Sequence, residues 1–250
     1  MTKFNNALIT GASSGIGAEI AKRLARMGSH VVLVARREHL LRQVAEGIAR
    51  DGGEADWVVA DVSDHQQIAH AVKEWDSKTG GLDLVVANAG VGRMRPAHRL
   101  EWEDIEPVIN VNITGAFATL LAGVQCMVPR KRGTLAAVSS LAAMRGLPAS
   151  GAYSASKAAL STFLDTLRAD LHSRGIHVVD IRPGFVRTPM TEPNKFHMPL
   201  LMDAEDAANI AVRGMEHGRS VVAFPWAMAK AMSLAQSAPD LLWRTIIAKR

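Results

Sequence analysis

The chain has 250 residues, 48% of them hydrophobic and 21% charged, with a formal net charge of +5; its mean hydropathy is +0.06 and its isoelectric point lies near 9.7. Apolar content this high with so small a net charge excludes a disordered chain. One Cys excludes a disulfide framework and a thiolate zinc site, and 20 Gly with 10 Pro lacking a three-residue period exclude a collagen-like chain.

The N-terminal stretch, Met1 to Asn6, is polar and leads straight into an apolar run. No charged-then-apolar leader is seen, and no run of 18 uncharged apolar residues occurs. No spanning helix is therefore expected, and a soluble cytoplasmic protein is the simplest reading. Short apolar runs follow at Ala7–Thr10, Val31–Ala35, Trp57–Ala60, Leu82–Ala87, Thr134–Ser139, Val178–Ile181 and Val221–Phe224. Continuous rather than alternating hydrophobicity predicts strands covered on both faces. Helix-length segments lie between them, at about 15–28, 38–51, 64–79, 101–130, 151–174 and 203–217. The alternation predicts one α/β domain over residues 1–250. Its sheet is doubly wound (Rossmann-type), mainly parallel and seven-stranded, with helices on both faces. Pro107 predicts a kink, or a break into two helices, in the fourth helical segment. Arg130-Lys131-Arg132 reads as a solvated helix end. Residues 226–235 and 241–248 are strongly apolar around Pro239. They predict a helix packed on the body or on another subunit, with a lid or a membrane-touching surface as alternatives.

The first strand runs into Thr10-Gly11-Ala12-Ser13-Ser14-Gly15-Ile16-Gly17, and a helix follows. Glycines there let the backbone approach a pyrophosphate, and the helix N-terminus offers unpaired N–H groups. The second strand ends at Ala35, 18 residues beyond Gly17, and Arg36-Arg37 follow. An NAD-type site places an acid near that point. Two arginines instead favour a 2′-phosphate, hence NADP(H), with Arg36 the first expected contact and Arg37 the second.

The only tyrosine lies in Tyr153-Ser154-Ala155-Ser156-Lys157. A spacing of four puts the Tyr153 and Lys157 side chains on one helix face, with Cβ atoms about 5–6 Å apart. A phenol with an ordinary pKa near 10 is a poor acid–base group at pH 7. A nearby ammonium stabilises the phenolate, and bringing the pKa near neutrality needs about 3–4 kcal/mol. Ser140, at a strand end, could hydrogen-bond a substrate oxygen. Asn112 sits at the hinge of the long helical segment, where an amide can hold a water or a backbone group.

Together these residues resemble those of the short-chain dehydrogenase/reductase family, over residues 6 to about 225. The matching positions are Thr10–Gly17, Asp61-Val62, Asn88-Ala89-Gly90, Asn112, Ser140, Tyr153, Lys157 and Pro183-Gly184. The resemblance implies that Tyr153 is the general acid/base and that Ser140 orients the substrate oxygen. It implies that Lys157 binds the nicotinamide ribose and lowers the phenol pKa, while Asn112 anchors a proton-relay water. Cofactor contacts are implied at Gly11, Ser13, Ser14, Gly15, Ile16 and Gly17, at Asp61 and Val62 by the adenine, and at Asn88, Ala89 and Gly90. Pro183, Gly184, Val186 and Thr188 are implied at the nicotinamide end, and Ser13 as a second 2′-phosphate ligand. A homodimer or homotetramer through helices 111–130 and 151–173 is also implied.

The expected function is NADP(H)-dependent interconversion of a carbonyl and a secondary alcohol, working as a reductase. Apolar residues in 189–202, the expected substrate loop, suggest a hydrophobic substrate. A non-catalytic NADP(H) sensor is the alternative on the same fold. No nucleic-acid partner is expected despite the basic charge, and no pair of histidines with a carboxylate has metal-ligand spacing. Cys126 reads as an inert buried thiol. Asp64 reads as a helix N-cap.

Overall fold

The computed structural model describes residues 3–194 and 196–247. Met1, Thr2, Lys195 of the expected substrate loop and Ala248 of the expected C-terminal helix lie outside them. The strands are β1 (Asn6–Thr10), β2 (His30–Ala35), β3 (Glu54–Val59), β4 (Leu84–Ala87), β5 (Gly133–Val138), β6 (Ile176–Pro183) and, after two short strands, β9 (Val221–Phe224). They form one sheet in the order β3-β2-β1-β4-β5-β6-β9. Every pairing is parallel. The short strands β7 (Val186–Arg187) and β8 (Met202–Asp203) pair with each other and close off the segment between them.

The parallel sheet follows from the sequence pattern. Leu8, Ile9, Val31 to Val34, Leu84 to Val86 and Leu135 to Ala137 are all buried, which requires helices on both faces. On one face α1 (Gly15–Arg26), α2 (Glu38–Arg50) and α7 (Ala204–Glu216) supply Ile20, Leu24, Leu41, Ile48, Val212 and Met215. On the other, α3 (His65–Lys78), α5 (Ala116–Met127) and α6 (Gly151–Leu171) supply Ile68, Val72, Leu120, Leu160 and Leu164. Asp64 caps α3: its Oδ1 accepts from the N–H groups of Gln66 and Gln67, each at 3.0 Å.

Four readings need correction. The third strand is an edge strand that starts at Glu54, and Trp57 and Val59 are 37% and 45% exposed. Its apolar run is therefore not covered on both faces. The fourth helical segment does not break at Pro107, which lies inside α4 (Trp102–Ile109). The irregularity comes just after it, as a π-helical stretch over Asn110–Gly115. Wider turns of this kind often mark functional sites, and this one carries Asn112. The helical run Trp102–Arg130 is long and apolar enough to cross a membrane, where no such helix was expected; half of its most apolar window is buried in the protein. Finally, Arg130 is not a solvated helix end. It forks onto Asp76 with Nη1 and Nη2 at 2.7 and 2.8 Å and donates to the Leu82 carbonyl. Burial works to raise the Asp76 pKa, but Arg130 and the Leu82 N–H hold that carboxyl below its usual range.

The C-terminal apolar segment forms α8 (Trp226–Ser237) and α9 (Asp240–Ile247). Among the described residues none of α8 is buried. Arg145 ties the segment to the body, from the turn after Ser140. Its Nη1 donates to the carbonyls of Ala235 and Ala238 at 2.7 and 2.6 Å. Carbonyls at a helix end lack their regular intrahelical donors; that of Ala235 also accepts from the Ala238 N–H at 3.3 Å. The same guanidinium pairs with Asp240 at 3.3 Å and lies 5.2 Å from the Trp243 ring centroid. Arg145→Ala is expected to remove about 1–3 kcal/mol of local stability. Amide hydrogen exchange in α8 should then accelerate about fivefold or more, by that estimate, while exchange in α1 stays unchanged.

Candidate active site

The strand order reverses between β2 and β4, on either side of β1. At such a switch point the loops leaving neighbouring strands diverge and open a crevice. Here it is a cleft of about 530 Å³. The glycine turn forms its floor. Gly11 has φ +67°, and a Cβ on it would lie 2.7 Å from the Ala89 Cα. Gly15 has φ +58°, with Thr188 only 3.1 Å from where its Cβ would be. Asn88 ties this turn to β4: Nδ2 donates to the Thr10 and Gly11 carbonyls at 2.9 and 3.2 Å. The Thr10 hydroxyl in turn accepts from the N–H groups of Asn88 and Ala89.

A phosphate-bearing ligand suits this floor. Ser14, the N-cap of α1, makes no side-chain capping bond, and the first turn of α1 contains no acid. The helix N-terminus thus keeps its N–H groups and positive dipole end for an anion. Gly17 lies behind the turn rather than on the cleft. A Cβ there would fall 2.3 Å from Asn88 Nδ2 and 2.7 Å from the Gly11 carbonyl oxygen. Gly17→Ala must push α1 off the sheet and disturb both Asn88 bonds. It is expected to destabilise the protein by about 1–3 kcal/mol, read as a lowered Tm, and to weaken dinucleotide binding.

The two arginines after β2 take different partners. Arg37 Nη2 donates to the Ser13 and Ser14 hydroxyls at 3.0 and 3.1 Å, next to the helix N-terminus. Arg36 pairs with Asp61 at 3.3 Å. Burial works to raise the Asp61 pKa. The Ser63 N–H and hydroxyl together with Arg36 outweigh it and hold the carboxyl below its ordinary range. Ser13, Ser14, Ile16, Val62, Ala89 and Gly90 also line the cleft. Thr188 lines it against Gly15 of the glycine turn, and Pro183, Gly184 and Val186 line its far end.

That end carries the acid–base groups. Tyr153 and Lys157 both line the cleft from α6. Lys157 is 3% exposed, and its Nζ donates to the Val138 carbonyl at 2.8 Å while lying 5.8 Å from the Tyr153 ring centroid. Burial lowers its pKa to about 8, against an opposing pull from Asp180. Ser140 is nearly buried. Its hydroxyl accepts from the Ala142 N–H at 3.1 Å and donates to the Pro183 carbonyl at 3.5 Å. Desolvation pushes the Tyr153 phenol above its ordinary value, and a hydrogen bond with Ser140 works the other way. The lowering expected from Lys157 is therefore not produced by these side chains as they stand, because the ammonium is turned to Val138.

Asn112 is fully buried and does not reach the cleft wall. Its Oδ1 accepts from the Val91 N–H at 2.8 Å; its Nδ2 donates to the Val91 carbonyl at 2.9 Å and to Ser156 Oγ at 3.0 Å. Of the two roles open to this amide, the side chain takes the backbone one. It pins the loop after β4, where Gly92 packs on Tyr153: a Cβ on Gly92 would lie 3.0 Å from the ring Cδ2.

Pro189, Met190 and Pro193 line the cleft from the segment between β7 and β8, where the substrate loop was expected. The sequence reading missed two features of the site. Ser139, not Ser140, lines the cleft at the end of β5. Asp180 stands behind Ser139, and its signal was a carboxylate inside the apolar run Val178–Ile181. Cys126 in α5 plays no part; desolvation foremost, and the Asp76 charge, push its thiol up.

Known proteins are similar to this chain in sequence and fold. The family described as short chain dehydrogenase matches residues 5–198. An uncharacterized oxidoreductase of Myxococcus xanthus is 44% identical over 240 residues, 96% of this chain and 95% of its own. A 3-oxoacyl-[acyl-carrier-protein] reductase of Synechocystis is 37% identical over 187 residues, 74% of this chain and 76% of its own. The crystal structure of a short-chain type dehydrogenase/reductase from Mycobacterium marinum superposes with a TM-score of 0.80 at 27% identity, over 88% of this chain and 94% of that one. A glycine-floored cleft at the switch point of a seven-stranded parallel sheet, a family match over most of the chain and near full-length similarity to an oxidoreductase converge: the chain belongs to the short-chain dehydrogenase/reductase family of oxidoreductases, whose members bind a nicotinamide cofactor and act on small molecules.

Proposed function

We propose that the protein is an NADP(H)-dependent reductase of a hydrophobic carbonyl compound, with Tyr153 as general acid. The observation that carries this is a single cleft with an arginine–serine anion site at one end and Tyr153 and Lys157 at the other, the Ser140 hydroxyl lying behind the wall against the phenol. When bound, the nicotinamide cofactor supplies the hydride. The chain's own residues do the rest. Ser140 holds its proton on Pro183 only at 3.5 Å, so its hydroxyl is free to turn and donate to a substrate oxygen. Tyr153 delivers the proton to that oxygen as negative charge builds on it. Lys157, an ammonium below about pH 8, stabilises the phenolate left behind. Asn112 fixes the Val91–Gly92 backbone that backs the phenol ring.

Arg37 with Ser13 is the better prepared 2′-phosphate site, because Arg36 is already paired with Asp61. Arg36 is the second contact, which reverses the order expected from the sequence. The Asp61–Val62 edge faces the adenine in this reading. A hydrophobic substrate is favoured by Met190, Phe196 and Leu200, which are 42%, 41% and 54% exposed in the segment between β7 and β8. The Synechocystis relative is named for a carbonyl substrate on an acyl chain. A homodimer or homotetramer through α5 and α6 belongs to the same proposal; Leu121 on α5 is 51% exposed.

The test is a panel of aliphatic and aromatic aldehydes, ketones and 3-oxoacyl thioesters, followed by NADPH oxidation. Turnover of apolar members with NADPH, and much weaker turnover with NADH, is expected. Saturable NADPH binding without turnover of any member would favour the sensor instead.

A further inference from the structure

β6 carries a carboxylate in the middle of an apolar run, and Asp180 is fully buried. A spacing of two puts Arg182 on the same face of the strand. Its Nε donates to Asp180 Oδ2 at 2.7 Å. The other carboxylate oxygen accepts from the Ser139 hydroxyl. Ser139 sits between the two groups the chemistry needs: Val138 before it, whose carbonyl holds Lys157 Nζ, and Ser140 after it. The Ser139 N–H also donates to the Ile181 carbonyl at 2.8 Å. The end of β5 is thus fastened to β6 by main chain and by a buried charge.

Burying a carboxylate and a guanidinium is costly, and apolar side chains of similar volume often stabilise a core as well or better. The strand neighbours Val178, Val179 and Ile181 are apolar and buried. The packing of the sheet gives no reason for a charge here, whereas the site does. We propose that Asp180 is a positioning residue for the catalytic lysine: held by Arg182, it anchors through Ser139 the strand end whose Val138 carbonyl holds Lys157 Nζ, and so fixes a buried negative charge behind the lysine's own hydrogen-bond acceptor. Among the described residues, the titratable and charged groups facing Lys157 are Tyr153 on its own helix and Asp180 on β6. β5 presents the Val138 carbonyl, and the π-helical stretch presents the Asn112 amide, whose Oδ1 meets Lys157 Nζ around Gly90. Asp180 is the charge that opposes the loss of the lysine proton on burial.

The proposal rests on the reading of Tyr153 and Lys157 as the acid–base pair, and the experiment separates the two. Carbonyl reduction by the full-length protein is measured against pH at saturating NADPH for wild type, Asp180→Asn and Arg182→Gln. The wild type should lose activity as pH rises through about 8, where Lys157 gives up its proton. Asp180→Asn keeps a hydrogen-bonding group but removes the charge, and should move this limb about one pH unit lower. Arg182→Gln removes the cation that offsets Asp180 and should move it higher. A structural role alone would lower activity in both variants without shifting the limb in opposite directions. Either folded variant with an unmoved limb, or both moving the same way, overturns the proposal. If Asp180→Asn does not fold, the direction of the Arg182→Gln shift decides. Failure of the underlying reading looks different, since wild-type turnover would then not depend on Tyr153 at all.

Discussion

Tyr153→Phe is expected to lower NADPH-dependent carbonyl reduction by about 10²–10⁴-fold, the usual worth of a positioned general acid, while NADPH binding persists. The reason is arithmetic as much as geometry. The chain has one tyrosine, so no neighbouring phenol can take over the proton. Phenylalanine keeps the ring that packs on Gly92 and removes only the hydroxyl. Ser140 cannot substitute for it, because a serine hydroxyl is a far weaker acid, and Lys157 is engaged with the Val138 carbonyl. Kinetics with wild type and variant side by side, plus a thermal unfolding scan to show that both fold, read the effect. A variant that retains roughly a tenth or more of the activity would remove Tyr153 from the proposed role.

The second large effect concerns cofactor choice. Arg37→Ala is expected to weaken NADPH binding by about 10–100-fold, since hydrogen bonds to a charged group are worth about 1.5–3 kcal/mol. NADH, which lacks the 2′-phosphate, should bind as before. Arg36→Ala should cost less, because that guanidinium already spends part of its charge on Asp61 at 3.3 Å. Changing both should abolish the preference for NADPH. Fluorescence titrations with the two dinucleotides measure it. If the Arg37 variant and the double variant both keep the wild-type ratio of NADPH to NADH affinity, the anion site lies elsewhere.

Most of the fold was legible because a parallel sheet buried on both faces leaves continuous apolar runs. Val31–Ala35 and Leu82–Ala87 announce β2 and β4 to within two residues. β3 was misjudged on the same principle: Trp57-Val58-Val59 reads as a covered strand, yet it closes the sheet as an edge. Hydrophobicity alone does not tell a covered face from an open one. The π-helical stretch at Asn110–Gly115 was not legible, because no residue preference read from the sequence marks it. The sequence placed Pro107 as the breaker on local grounds and missed the turn three residues later. Tyr153 and Lys157 could be paired from spacing alone, since four residues make one helical turn. Asp180 and Ser139 could not, because their contact depends on which strand lies beside which. The same holds for Arg145, whose partners lie 90 to 95 residues away. Arg36 and Arg37 were legible as a pair, but which of them faces Ser13 was decided by Asp61, from a third strand end.

The lone phenol allows the most direct test. Titrated spectroscopically, Tyr153 is the only tyrosine signal to assign. In the protein without dinucleotide, desolvation should hold its ionisation above the ordinary value near 10. With NADP⁺ saturating, the cationic ring and the Lys157 ammonium should bring it well below that value, toward the pH at which the enzyme works. A phenol that still ionises at about 10 or above in the NADP⁺ complex would contradict the acid–base role on which the proposed reaction depends.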